Sequence, residues 1–175
     1  MLLAGVALAL ALAGDKAGEG RVPSSASPKT RAATPEAKPL TADEQTRFEA
    51  GKELYAITCA ACHQPNGLGQ EGLAPPLAGS VWVTGSPERL VRMILHGVRG
   101  PITVKGKLYQ FMQEMPPLGV FENQQIAQVL TYVRREWGHT ALPVTVDFVA
   151  KIRAETETRD EAWSEADLLK IPERQ

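Results

Sequence analysis

The sequence predicts an all-α domain: a handful of helices joined by long loops, with one small hairpin. Three observations carry that reading. Apolar residues recur at helical spacing in "TADEQTRFEAGKELYAIT", "SPERLVRMILHG" and "NQQIAQVLTYVRREWG". Each stretch is bounded by a capping residue or a terminating glycine. The connection "QPNGLGQEGLAPPLAGS" is too rich in Gly and Pro for helix or central strand, and strand-like alternation is scarce elsewhere.

Residues 1–13 read as an export signal, because "LLAGVALALALAG" is apolar and closes on the small-x-small pattern Ala11-Leu12-Ala13. The run falls short of the roughly 20 residues that span a bilayer, although left uncleaved it could serve as a membrane tether. Residues 14–40 are rich in Pro, Ala, Ser, Thr, Lys and Gly with no aromatic residue and little apolar content, a composition that cannot bury enough surface to offset its ordering entropy. A disordered linker is expected here. The folded domain is expected over 41–142, followed by a helical extension over 143–175.

The domain opens on Thr41, which can form a capping box with Glu44. Phe48, Gly51, Leu54 and Tyr55 then carry one helix straight into "CAACH". Ser86 caps the next helix, Pro87 takes its first position and Gly97 ends it. "ITVKGKLY" folds back at Lys105-Gly106 as a hairpin. The last domain helix presents Ile126, Val129, Leu130, Val133 and Trp137 on one face and stops at Gly138, which leaves His139 solvated. The extension holds two short helices, the second capped by Ser164. In it Phe148, Val149 and Ile152 are suited to docking on the domain or on a partner.

Formal net charge is −1, and 41–142 carries nine basic and nine acidic residues. No basic field argues for nucleic acid or an anionic lipid surface.

Both cysteines of the chain lie in "CAACH", beside one of only three histidines. A structural zinc site wants four ligands and finds no second pair here. A dithiol redox motif belongs after a strand in a βαβ setting. Covalent haem meets every constraint: Cys59 and Cys62 are spaced to form thioethers with two vinyl groups, and His63 supplies an axial imidazole. Such attachment occurs outside the cytoplasm, in agreement with an export signal. His63 needs its other ring nitrogen oriented, and the stiff segment "APPLAGS" offers the Pro75 carbonyl, unless the two prolines merely shape the loop. On the far side of the iron the candidates are Met93, His96, Met112 and Met115. Met115 is favoured, because the residue before a proline is held extended. A thioether there raises the potential relative to a second imidazole. Trp82, Arg99 and Tyr109 are candidate donors to haem propionates, against a default role in packing.

"GKELYAITCAACHQPNGLG", "LAPPLAGSVWVTG", "GVRGPITVKGKLY", "MPPLGVF" and "IAQVLTYVRREWG" together resemble class I cytochromes c. More narrowly they are similar to the bacterial periplasmic cytochrome c domains that accompany quinoprotein, sugar or alcohol dehydrogenases. The resemblance covers roughly 47–139 and implies a class I cytochrome c fold around one haem c. It implies haem attachment at Cys59 and Cys62, iron ligation by His63 and Met115, and a close helix crossing at Gly51 near Tyr132. The segment "YQFMQEMPP" departs from such domains and adds the second sulfur of Met112. The implied function is periplasmic electron transfer, from a dehydrogenase to another cytochrome or a terminal oxidase, by a carrier that is not itself an enzyme. The alternatives are a ligand-binding or peroxidase-like haem protein with a labile Met, and a haem-bearing docking subunit of a dehydrogenase.

Overall fold

The computed structural model describes residues 38–173. The expected signal 1–13, and the expected linker up to residue 37, lie outside the described residues.

Helix α1 (Ala42–Thr58) starts where the capping box places it. Thr41 Oγ1 accepts from the Glu44 amide, and the Glu44 carboxylate accepts from the Thr41 amide. Cys59 closes α1, and one further turn, α2 (Ala60–His63), carries the cysteine motif. The short α3 (Val81–Thr84) is capped by Ser80. Four residues are too few to show periodicity, so the sequence gives no sign of it. The next helix, α4 (Pro87–His96), runs from the Ser86 cap to Gly97 as expected.

Strands β1 (Ile102–Val104) and β2 (Lys107–Tyr109) pair antiparallel, with Ile102 opposite Tyr109 and Val104 opposite Lys107. Lys105 and Gly106 both have positive φ, the geometry of a two-residue hairpin turn that matches strand twist. Helix α5 (Asn123–Arg135) follows, and then α6 (Val146–Glu155) and α7 (Glu165–Leu169) of the extension.

The frame is the crossing of α1 over α5. A Cβ at Gly51 would overlap the Gln128 carbonyl and lie 3.0 Å from Tyr132 Cβ, so only glycine admits this approach. Aromatic rings fill the crossing: Tyr132 sits 5.2 Å from both Phe48 and Tyr55, and Trp137 stands edge-on to Tyr55 and Tyr132.

Trp137 reaches that cluster differently from the expected helical stripe. The helix ends at Arg135, two residues earlier, and Trp137 takes φ +54. The left-handed conformation costs roughly 1–2 kcal/mol, but it folds the indole back over Tyr55 and over Gly67. The extension docks on the domain, with Val149 and Ile152 fully buried in the main core alongside Leu130 and Val133.

Candidate haem site

The backbone of the cysteine motif is positioned by helical hydrogen bonds. Cys59 N donates to Tyr55 O and His63 N to Cys59 O, each at 2.9 Å, so both thiols and the imidazole leave one turn. Gln64 then adopts φ +64 and turns the chain away, and Tyr55 Oη donates to its carbonyl at 2.6 Å. Thr58 Oγ1 donates to Leu54 O and lies 3.3 Å from Cys59 Sγ. Burial pushes the Cys59 thiol above its ordinary pKa, the opposite of what an activated redox cysteine requires. Both thiols are free, and among the described residues no group of three or more His, Cys, Asp or Glu could hold a metal ion.

The loop after the motif returns to the imidazole. His63 Nδ1 donates to Pro75 O at 3.0 Å, which fixes the tautomer and leaves Nε2 with a free lone pair. Burial holds His63 below the usual imidazole pKa, with the Pro75 bond opposing it. The neutral form is the one that binds a metal. Gly69 permits this closure, since a Cβ there would press on Ala74 O and lie 2.6 Å from Pro75 O. The Gly67 carbonyl pins the loop by accepting from Leu77 and Ala78.

Met115 approaches from a different part of the chain. Its amide donates to Val98 O at 2.9 Å and its carbonyl accepts from Val98 N at 3.1 Å, an isolated antiparallel bridge. Gly97 makes room, because a Cβ there would overlap the Met115 carbonyl. Met115 packs against both hydrophobic clusters of the molecule, the α1–α5 core and the smaller one around Trp82, Val98 and Val104.

Between these parts lies a cavity of about 260 Å³. Cys59, Cys62, His63, Pro75 and Met115 all line it, and its walls are largely apolar, with Ile94, Val98, Val104, Leu130 and Val133 among them. Met93 also faces it. Met112 does not: the residue is 87% exposed. His96 is turned toward the extension, its Nε2 lying 2.7 Å from Thr156 Oγ1. Two thiols, one imidazole lone pair and a thioether around an apolar hollow fit a covalently attached macrocycle with an iron centre.

Comparison with known proteins bears on the same stretch. Residues 48–137 match the family model for cytochrome c. The chain belongs to the cytochrome c family.

This cytochrome c domain is helix-rich with only a two-stranded hairpin, the class I fold. Membership makes it a c-type cytochrome that binds haem c covalently and takes part in electron transfer. It is 36% identical to cytochrome c-552 of Thermus thermophilus over 124 residues, 66% of this chain and 92% of that one. It is 35% identical over 117 residues to the cytochrome c subunit of the quinone alcohol dehydrogenase of Gluconacetobacter polyoxogenes, and 31% over 112 residues to the fructose dehydrogenase cytochrome subunit of Gluconobacter japonicus. Those alignments take in 65% and 62% of this chain but only 24% and 23% of the two subunits.

Two candidate donors, Trp82 and Arg99, are held by protein acceptors, in keeping with the default role in packing, and one expectation, that for His139, needs correction. Trp82 lines the cavity, but its indole N–H donates to Thr103 O at 2.8 Å. Arg99 is committed to Ala162 O and the Glu161 carboxylate, away from the cavity. His139 is buried rather than solvated: Nδ1 donates to Val133 O, and Nε2 accepts from Gly79 N, each at 2.7 Å. It braces the loop that carries Pro75. Sequence reasoning also missed Gly69 and Val98. The spacing Gly67-x-Gly69 hinted at a tight loop, whereas nothing in the sequence marks Val98.

Proposed function

We propose that this chain is a single-haem electron carrier of the periplasm, with haem c attached through Cys59 and Cys62 and iron ligated by His63 and Met115. The carrying observation is the joint lining of one apolar cavity by both thiols, Met115, and an imidazole whose Nδ1 is already spent on Pro75. His63 and Met115 would hold the iron, and haem so held would supply a one-electron couple at raised potential. The chain's residues would keep that couple unreactive toward other ligands. His63 is fixed by a carbonyl, Met115 by two backbone bonds to Val98, and the apolar wall excludes water. Met115 is preferred over Met93 because Pro116 and the Val98 bridge immobilise its backbone from both sides.

Export rests on segment 1–13, which becomes a membrane tether if it is not cleaved. Among the described residues no helix is long and apolar enough to cross a bilayer. The names of the relatives support a dehydrogenase as donor; a further cytochrome or an oxidase as acceptor follows from the resemblance alone. We read 41–142 as the haem-binding domain and 143–175 as its extension.

Carbon monoxide tests the ligand assignment. Reduced wild-type protein should resist it, Met115→Ala should bind it at once, and Met115→His should stay closed at a lower potential. If Met93→Ala opens the site and Met115→Ala does not, the assignment is wrong.

A further inference from the structure

The segment that carries Met115 is held by the C-terminal extension at both ends. At its start, Val98 is the middle of three extended segments. It bridges Met115 on one side and Trp163 on the other. Trp163 N donates to Gly97 O at 3.0 Å, and Arg99 N donates to Trp163 O at 2.9 Å. The extension therefore backs the short segment on which Met115 hangs.

At its end, Arg153 of α6 spends its guanidinium on the turn between Met115 and α5. Nη1 donates to Gly119 O at 2.6 Å, Nη2 to Phe121 O at 2.7 Å and Nε to Asn123 Oδ1 at 2.7 Å. A planar fork with fixed donor directions holds three acceptors in one arrangement, which a flexible ammonium cannot do. In between, Leu118 N donates to Ile94 O at 2.8 Å. These anchors keep 115–123 against the end of α4, where Gly97 and Gly119 permit close backbone contact.

We infer that Arg153 is a positioning residue for the iron-binding thioether: through the turn at 119–123 it sets how often Met115 leaves the metal. This rests on Met115 being the ligand. The extension is then part of the redox site, a strap that keeps the sixth position closed.

The test uses full-length holoprotein, reduced and mixed with carbon monoxide, whose rate of binding reports the opening of the Met115 side. Arg153→Ala should bind roughly tenfold faster or more, given what three bonds to a charged donor are worth. Arg153→Lys should fall between. Val149→Ala, a deletion in the same helix facing the core, should leave the rate near wild type at comparable loss of stability. Amide exchange gives an independent reading. In Arg153→Lys the Met115 and Leu118 amides should exchange faster, while the His63 amide does not change. The inference is overturned if Arg153→Ala binds at the wild-type rate, if Val149→Ala accelerates binding equally, or if exchange rises uniformly. Failure of Met115→Ala to open the site would instead overturn the ligand assignment on which the inference stands.

Discussion

The two sides of the cavity are built by opposite means. On the His63 side nearly every contact is local. Two thiols and an imidazole share one helical turn, and the bond that orients the ring comes from Pro75, twelve positions on. On the Met115 side nearly every contact is distant. Val98 supplies the bridge, and Gly119 and Phe121 are tied to Arg153 from more than thirty positions away. A locally built side can form as soon as its helix forms. A side assembled from distant segments exists only when the whole chain has packed, so it is the side that opens first under stress.

The largest effect should come from breaking the local side. Cys59→Ala with Cys62→Ala removes both points of attachment, and the denatured chain should then show the mass of the polypeptide alone. Retained haem mass under denaturing conditions would refute the motif's role.

Next in size is a break in the distant side. Gly97 sits at φ +78 and ψ 178, a region essentially restricted to glycine, and a Cβ there would overlap the Met115 carbonyl. Gly97→Ala should lower unfolding free energy by about 2–4 kcal/mol in denaturant titration. It should also admit carbon monoxide. Loss of stability without carbon monoxide binding would show that the Met115 side tolerates a shifted Val98 segment.

His139 is the exception that sharpens the contrast, a distant brace on the local side. His139→Phe leaves the Gly79 amide and the Val133 carbonyl unpaired and should cost about 1–3 kcal/mol at neutral pH. Burial holds this imidazole below its ordinary value of 6.5, so the unfolded chain takes up a proton at a higher pH than the native one. Stability is thus full above about pH 6.5 and falls below it, by up to about 1.4 kcal/mol per pH unit until the native group protonates. The variant should lose part of that acid slope. An unchanged slope in urea melts from pH 7 to 5 would assign it to other groups.

The smallest effect is expected from the pair that spans the two sides, Lys107 and Glu71, 3.0 Å apart and well exposed. Lys107→Ala should leave Tm and carbon monoxide resistance unchanged within error, because exposed ion pairs are screened. A clear loss would mean that the two sides are coupled at the surface.

What could be read in advance follows the same division. Caps, helix starts and the hairpin turn at Lys105-Gly106 were legible because each depends on residues within a turn of one another. The early end of α5 was not, because the position of Trp137 is decided by Tyr55 across the crossing and by the close approach of Gly67. His139 was read as solvated for a similar reason. Its partner Gly79 is sixty positions away, and no local pattern encodes that bond.

By itself the sequence determined the chemistry offered to the cofactor, two thiols and an imidazole on one turn, and the helices that deliver them. Hydrogen bonds between near neighbours suffice for both. Only the tertiary structure decided which sulfurs face the cavity, which carbonyl meets His63, and that the extension grips the Met115 segment through Arg153 and Trp163. Those contacts join residues far apart in the chain, and their pairing is fixed by packing.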